Sequence, residues 1–197
     1  MKDNNITKFL VSFSGQIEYV TFPAGVFDDL LYVQYEVVWG PDWEPISGLP
    51  SGTSQMACSG TNPERVTFNM PIEMVFSGTN VSGWPQLVLT VRAQNPITGD
   101  SLRGYGLALF PPTTGARVIT TPLIRPTPST VLGEWLAWLT GRYSELIDPK
   151  MLANGKDNYL LRTESYGTVS LTLSMVSKDL RKLGFDNEPP PQKINFA

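Results

Sequence analysis

Asp28, Asp29, Asn95 and Asp100 are the side chains of this chain whose type and spacing come nearest to a reactive or ligating set. A hard cation such as calcium needs several carboxylate and carbonyl oxygens converging on one ion. Asp28 and Asp29 precede an alternating apolar stretch, while Asn95 and Asp100 flank a polar loop. The four make a cage only if those two loops meet. By itself Asp100 is one carboxylate in a loop, which is a poor cage. Asp28-Asp29 also reads as a turn pair whose oxygens bond nearby backbone. The expectation is that the chain has no tight metal site.

Other chemistries are harder to assemble. The 197 residues include no histidine and one cysteine, Cys58, in the polar stretch Thr53 to Thr61. An intramolecular disulfide is impossible, and zinc sites built on Cys and His need several such ligands. Serine and cysteine nucleophiles normally take their proton acceptor from a neighbouring histidine. A serine–lysine pair remains conceivable, but no motif supports one. Gly104-Tyr105-Gly106 lacks the third glycine and the following helix of a dinucleotide site. Carboxylates suffice in number for an acid/base pair, yet sequence alone cannot bring two together. The chain is expected to have no catalytic residues and no cofactor.

Binding is the remaining class. Val131, Leu132, Trp135, Leu136, Trp138 and Leu139 recur at helical spacing. Ser129 is placed to cap that helix and Gly141 to end it. Such a face commonly packs over a sheet. It also suits a partner or membrane surface with Trp135 and Trp138 as anchors. A second helix is expected from about Ser177 to Gly184, with Lys178, Arg181 and Lys182 on one side. Those cations favour a helix C-terminus; anionic phospholipid is the minority reading. Arg92, Arg103, Arg117, Arg125 and Arg142 are scattered, and their faces are not legible.

The elements that hold these residues are mostly strands. Phe9, Val11 and Phe13 alternate, and Ile17 and Tyr19 continue the run. Leu31 to Trp39 and Val66 to Phe76 alternate likewise, and Pro71 marks an edge or a bulge in the latter. Leu87 to Arg92, Tyr105 to Phe110, Val118 to Ile124 and Thr168 to Val176 complete the set. Asn95-Pro96 and Gly99-Asp100 read as a loop between two of them. With 17 Gly and 17 Pro spread along the chain, the fold class is all-β: a sandwich or barrel of about eight strands. A formal net charge of -3 without a run of either sign argues against nucleic acid as a partner.

One segment carries more than composition. Gly83 to Gly106, GWPQLVLTVRAQNPITGDSLRGYG, resembles the signature segment of the B9 domain, a divergent C2-like sandwich. The likeness extends to Gly15-Gln16-Ile17-Glu18, Phe27 to Tyr32, Gly40-Pro41-Asp42-Trp43 and Phe68 to Ile72 upstream. Downstream it takes in Asp148-Pro149-Lys150, Tyr166 to Val169 and Lys178 to Asp186. The resemblance implies a C2-like antiparallel β-sandwich with one or two short helices in connections or at the C-terminus. It places the Asp-x-Asp of calcium-binding C2 domains at Ala93 and Asn95, where neither residue is acidic.

What the family does is implied in the same way. It implies a non-catalytic subunit of the tectonic-like complex, joined to B9 domain-containing protein two and the Meckel syndrome type one protein. That complex supports ciliogenesis and the membrane diffusion barrier at the ciliary transition zone. The expected location is the cytoplasmic side of the cilium base, with basal body and cytoskeleton. The alternative is a calcium-independent C2-like module that binds a membrane surface and recruits partners. A lectin-like sandwich, motivated by the five tryptophans, is a distant third. Residues 1–7 are expected to form a flexible N-terminus, 8–186 the domain, and 187–197 a Pro-containing tail. The polar Met1 to Asn5 does not read as a signal peptide, and no apolar run nears the roughly 18 residues of a membrane span.

Overall fold

The computed structural model describes residues 7–23, 25, 30–95, 99–127, 135, 145–154 and 162–188. Asp28, Asp29, Trp138, Arg142, residues 1–6 and the Pro189-Pro190-Pro191 tail lie outside them, as does the expected Ser129–Gly141 helix apart from Trp135.

Nine strands form: β1 (Phe9–Thr21), β2 (Leu30–Val38), β3 (Trp43–Gly48), β4 (Ser51–Thr53), β5 (Arg65–Gly78), β6 (Gln86–Asn95), β7 (Gly99–Leu109), β8 (Gly115–Pro126) and β9 (Thr163–Lys178). They make one antiparallel sheet in the order β3-β5-β1-β9-β8-β7-β6-β2-β4. The sheet curls into two facing halves, β3-β5-β1-β9-β8 and β7-β6-β2-β4. The halves are joined narrowly, because β7 and β8 pair only at Tyr105–Ile124 and Gly106–Leu123 among the described residues. At the opposite side, Leu49-Pro50 carries the chain from β3 on one half to β4 on the other. The result is the all-β, C2-like sandwich that the strand pattern and the resemblance predict.

Alternation explains the packing. Phe9, Val11 and Phe13 of β1 and Leu31, Val33, Tyr35 and Val37 of β2 all face one shared core. Each fully buried side chain of this size stabilises the fold by about 1.5–3 kcal/mol. Aromatic rings fill one end. Trp43 and Trp84 meet edge to face at 5.0 Å, and Phe13 lies 4.5 Å from Phe110. The indole N–H groups stay satisfied: Trp43 donates to the Ser82 carbonyl and Trp84 to that of Phe110, each at 2.9 Å. Trp39 packs against the same core, so three of the five tryptophans serve packing.

Two motifs from the sequence meet here. Gly40 N–H bonds the Gly83 carbonyl at 2.8 Å. A Cβ on Gly83 would sit 2.6 Å from the Gly40 Cα, and Gly83 has φ +67°. Only glycines permit that approach. Pro71 lies where β5 runs past the short β3, so its outer side is open, and β5 carries a register shift close by, with Asn69 at φ 48°. Both features suit a proline.

Several boundaries differ from expectation. β3 and β4 were not anticipated, because Pro45, Gly48, Pro50 and Gly52 read as loop. β7 opens at Gly99 rather than Tyr105, and Asn95 pairs with Gly99, so the strands extend into the stretch expected as loop. The helix expected from Ser177 is absent: β9 continues through Lys178, which pairs with Leu10 of β1. Only a 3-10 turn, Arg181–Leu183, follows, and Gly184 ends it in left-handed conformation as a C-terminal glycine should. One short helix, α1 (Met151–Asn154), was missed. No described helix is long and apolar enough to cross a membrane.

Candidate functional site

The outer face of β2, β6 and β7 carries a network of charged side-chain hydrogen bonds. Tyr32 and Arg92 are cross-strand partners on β2 and β6. Their neighbours Leu31, Val33, Val91 and Ala93 point into the core, so these two point out. Asp100 opens β7 beside them. Its Oδ2 accepts a bond from the Tyr32 hydroxyl at 2.9 Å and from Arg92 Nε at 2.8 Å. The guanidinium then forks onto Glu145, with Nη1 and Nη2 donating at 2.9 and 3.0 Å. This planar two-bond geometry is specific to arginine.

The electrostatics follow. Burial disfavours the Arg92 charge, but its bonds to Glu145 and Asp100 outweigh that and leave its pKa above the ordinary value. Burial, and then the Asp100 bond, push the Tyr32 hydroxyl up as well. Asp100 is therefore committed to a cation the chain itself supplies. Ala93 is sealed in the core at 0% exposure and offers no side-chain oxygen. Among the described residues, no three His, Cys, Asp or Glu side chains gather as a metal-ligand group. Asp100 is bonded to Tyr32 and Arg92, and Asp28 and Asp29 lie outside the described residues.

Glu145 belongs to a strap whose described residues, 145–154, lie over this face. Leu146 N–H donates to the Tyr105 hydroxyl at 3.0 Å. Leu152 on α1 buries with Leu102 and Tyr105 in a small second core, bordered by Leu146 and Ile124. Asp148 Oδ1 accepts from Lys150 N–H and tightens the turn into α1. Between the strap and β4 runs a polar groove of about 350 Å³, lined by Gln34, Glu36, Ser51, Thr53, Thr90 and Pro149. Lys150 and Glu36 approach to 3.6 Å. Gly104 and Gly106, flanking Tyr105, let β8 pass close: a Cβ on Gly104 would lie 3.1 Å from Leu123 Cβ.

The remaining candidates separate. Trp135 is 59% exposed, and on the strap Ile147 is fully exposed. Lys178, Arg181 and Lys182 do not share a helix face. Arg181 pairs with Glu188 at 2.8 Å and Lys182 with Asp179 at 2.7 Å. Arg125 pairs with Glu164 and lies 3.9 Å over the Tyr166 ring. Arg117 is exposed on β8. Arg92, Arg117 and Arg125 thus sit on different strands, β6 and β8, in different surroundings. Sequence reasoning missed Glu145, Tyr32 and the strap. The spacing of Arg92 and Asp100 across a hairpin was the one available signal; Glu145 lies 53 residues from Arg92.

Comparison with known proteins agrees with this fold. Residues 11–176 match the family model B9-C2, described as "Ciliary basal body-associated, B9 protein". The chain is 40% identical to B9 domain-containing protein 1 of Xenopus laevis over 179 residues, covering 90% of this chain and 89% of that one. It is 38% identical to the human B9 domain-containing protein 1, covering 92% and 88%. B9 domain-containing protein 2 of Bos taurus is more distant at 29%, covering 87% and 95%. Among solved structures, a C2 domain of plant Extended Synaptotagmin 1 overlaps at TM-score 0.41 and 10% identity, over 84% of this chain and 92% of that one. That overlap is too loose to carry weight. The chain belongs to the B9 family of ciliary basal body-associated proteins.

Proposed function

We propose that this chain is a non-catalytic structural subunit on the cytoplasmic side of the ciliary transition zone. It assembles with B9 domain-containing protein 2 and the Meckel syndrome type one protein within the tectonic-like complex. That assembly supports ciliogenesis and the ciliary membrane diffusion barrier. The observation that carries the reading is the match to B9 domain-containing protein 1 over about nine tenths of both chains. Residues 11–176 match the B9 model, so the reading rests on the surface of that domain.

The chemistry of the surface supports the assembly part. The carboxylate of Asp100, at the start of β7, is held by Arg92 and Tyr32, which supports association without a calcium bridge. Trp135 and Ile147 expose apolar area of the kind that anchors protein contacts. Two of the three cations near the C-terminal 3-10 turn are paired within the chain, which leaves little charge there for anionic lipid.

A fluorescent fusion expressed in ciliated cells tests the proposal. It accumulates at the cilium base, and depletion of B9 domain-containing protein 2 disperses it. A fusion that stays diffuse, or that holds its place without that partner, contradicts the reading.

A further inference from the structure

Association of one sandwich with another can use faces or strand edges, and most edges of this sheet are blocked. β3 ends the sheet on one side, but it carries Pro45 and a register shift between Pro45 and Ser47. Proline and bulges are standard protection for an edge. β4 ends the other side and is three residues long. The part of β5 left uncovered by β3 is capped at Phe68, whose carbonyl accepts Gln55 Nε2 at 2.8 Å.

The split between β7 and β8 leaves a different kind of edge. The two strands pair at Tyr105–Ile124 and Gly106–Leu123 and then part. Thr121 Oγ1 bonds the Leu107 carbonyl at 2.7 Å where a backbone bond would otherwise stand. Beyond that point Gly115–Thr120 pairs, among the described residues, with β9 alone. An antiparallel strand with one partner leaves the N–H and C=O of every second residue pointing away unpaired. This stretch, Gly-Ala-Arg-Val-Ile-Thr, has no proline and is rich in residues that favour strands. Ile119 sits opposite the buried Leu171, while Val118 faces the other way opposite Thr172 and is 70% exposed.

Arg117 indicates what such an edge would accept. It is the one charge on the stretch, it is exposed, and it makes no ion pair with a described residue. A second copy of this edge brings no carboxylate, since Gly115–Thr120 contains none. Self-pairing therefore leaves Arg117 without a counter-charge. A strand from a different protein, with Asp or Glu opposite Arg117 and an aliphatic residue opposite Val118, satisfies both positions.

We propose that Gly115–Thr120 of β8 is the edge on which another B9-family protein adds a strand, an extended segment bearing a carboxylate opposite Arg117 and an aliphatic side chain opposite Val118. This rests on the assembly reading above and specifies where it happens. The mode is strand addition, in which backbone bonds supply affinity and alternate side chains supply specificity.

Hydrogen exchange on the full chain, alone and mixed with B9 domain-containing protein 2, tests it. On complex formation the outward amides within 115–120 slow by about tenfold or more. Arg117→Glu and Val118→Lys each weaken the complex by about tenfold or more, through like charge in one case and a blocked edge in the other. Both positions are exposed, so the variants melt as the wild type does. A complex that forms with unchanged exchange at 115–120 and normal binding by both variants overturns the edge and leaves assembly standing. Failure of the wild-type chain to bind overturns both. Protection of 115–120 in the chain alone, with a dimer mass that Val118→Lys abolishes, overturns the choice of partner in favour of a second copy.

Discussion

Replacing Arg92 by Met removes the guanidinium but keeps an apolar stem of similar length. Three charge-assisted bonds disappear, one to Asp100 and two to Glu145. Bonds to charged groups in protected sites are worth about 1.5–3 kcal/mol each, whereas exposed ion pairs are worth about 0–1 kcal/mol. The Arg92 side chain is 18% exposed, and both carboxylates are 43% exposed, so water rehydrates them once the guanidinium is gone. The balance places the loss at about 2 kcal/mol, or a fall in Tm of about 4–8 °C for a domain this size. A double-mutant cycle of Arg92→Met with Glu145→Gln, read by urea unfolding, isolates the fork. Its coupling energy is expected at about 1 kcal/mol. The same variants speed exchange of the Leu146 amide, which the clamp holds against Tyr105. Coupling within about 0.3 kcal/mol of zero, or an unchanged Leu146 amide, refutes the idea that Arg92 ties the strap to the sheet.

Alkaline pH probes the same face. Burial raises the pKa of Tyr105, and burial followed by the Asp100 bond raises that of Tyr32, both from the ordinary 10.0. Below pH 10.0 folded and unfolded chains both hold these protons and the contribution is complete. As pH rises further the unfolded chain ionises first, so stability falls through the folded-state values. Tyr105→Phe flattens that fall in pH-dependent unfolding; an unchanged slope, with no second tyrosine compensating, counts against it. Gly83→Ala forces a Cβ to within 2.6 Å of the Gly40 Cα and costs about 2–3 kcal/mol in denaturant unfolding; a neutral effect would mean the two turns are free to separate. Trp135→Ala changes stability by no more than about 0.5 kcal/mol, given its exposure. It is expected to weaken co-elution with a B9 partner, and undiminished binding removes Trp135 from the contact surface.

Strands with strict alternation were readable because one face of each meets a single core. β1, β2 and β5 show this most clearly. β3 and β4 were not readable, since their prolines and glycines carry the chain between sheet halves, and pairing rather than composition makes them strands. Lys178 and its neighbours looked helical by local preference; pairing of β9 with β1 overrode it. The signature segment holds part of the network, because its hairpin carries Arg92 and Asp100. The partner Glu145 was hidden, as no local pattern ties a residue 53 positions away to the hairpin. Asp100 was weighed as a calcium ligand because an isolated sequence cannot reveal that an arginine already holds it.

Mixing the purified chain with B9 domain-containing protein 2 and the Meckel syndrome type one protein tests the central claim most directly. The measurement is molar mass by size-exclusion chromatography with light scattering, in EDTA and without lipid. A single peak at the summed mass of a stoichiometric complex is the expected result. Separate elution of folded proteins, with association appearing only when calcium or anionic vesicles are added, contradicts a calcium-independent protein assembly.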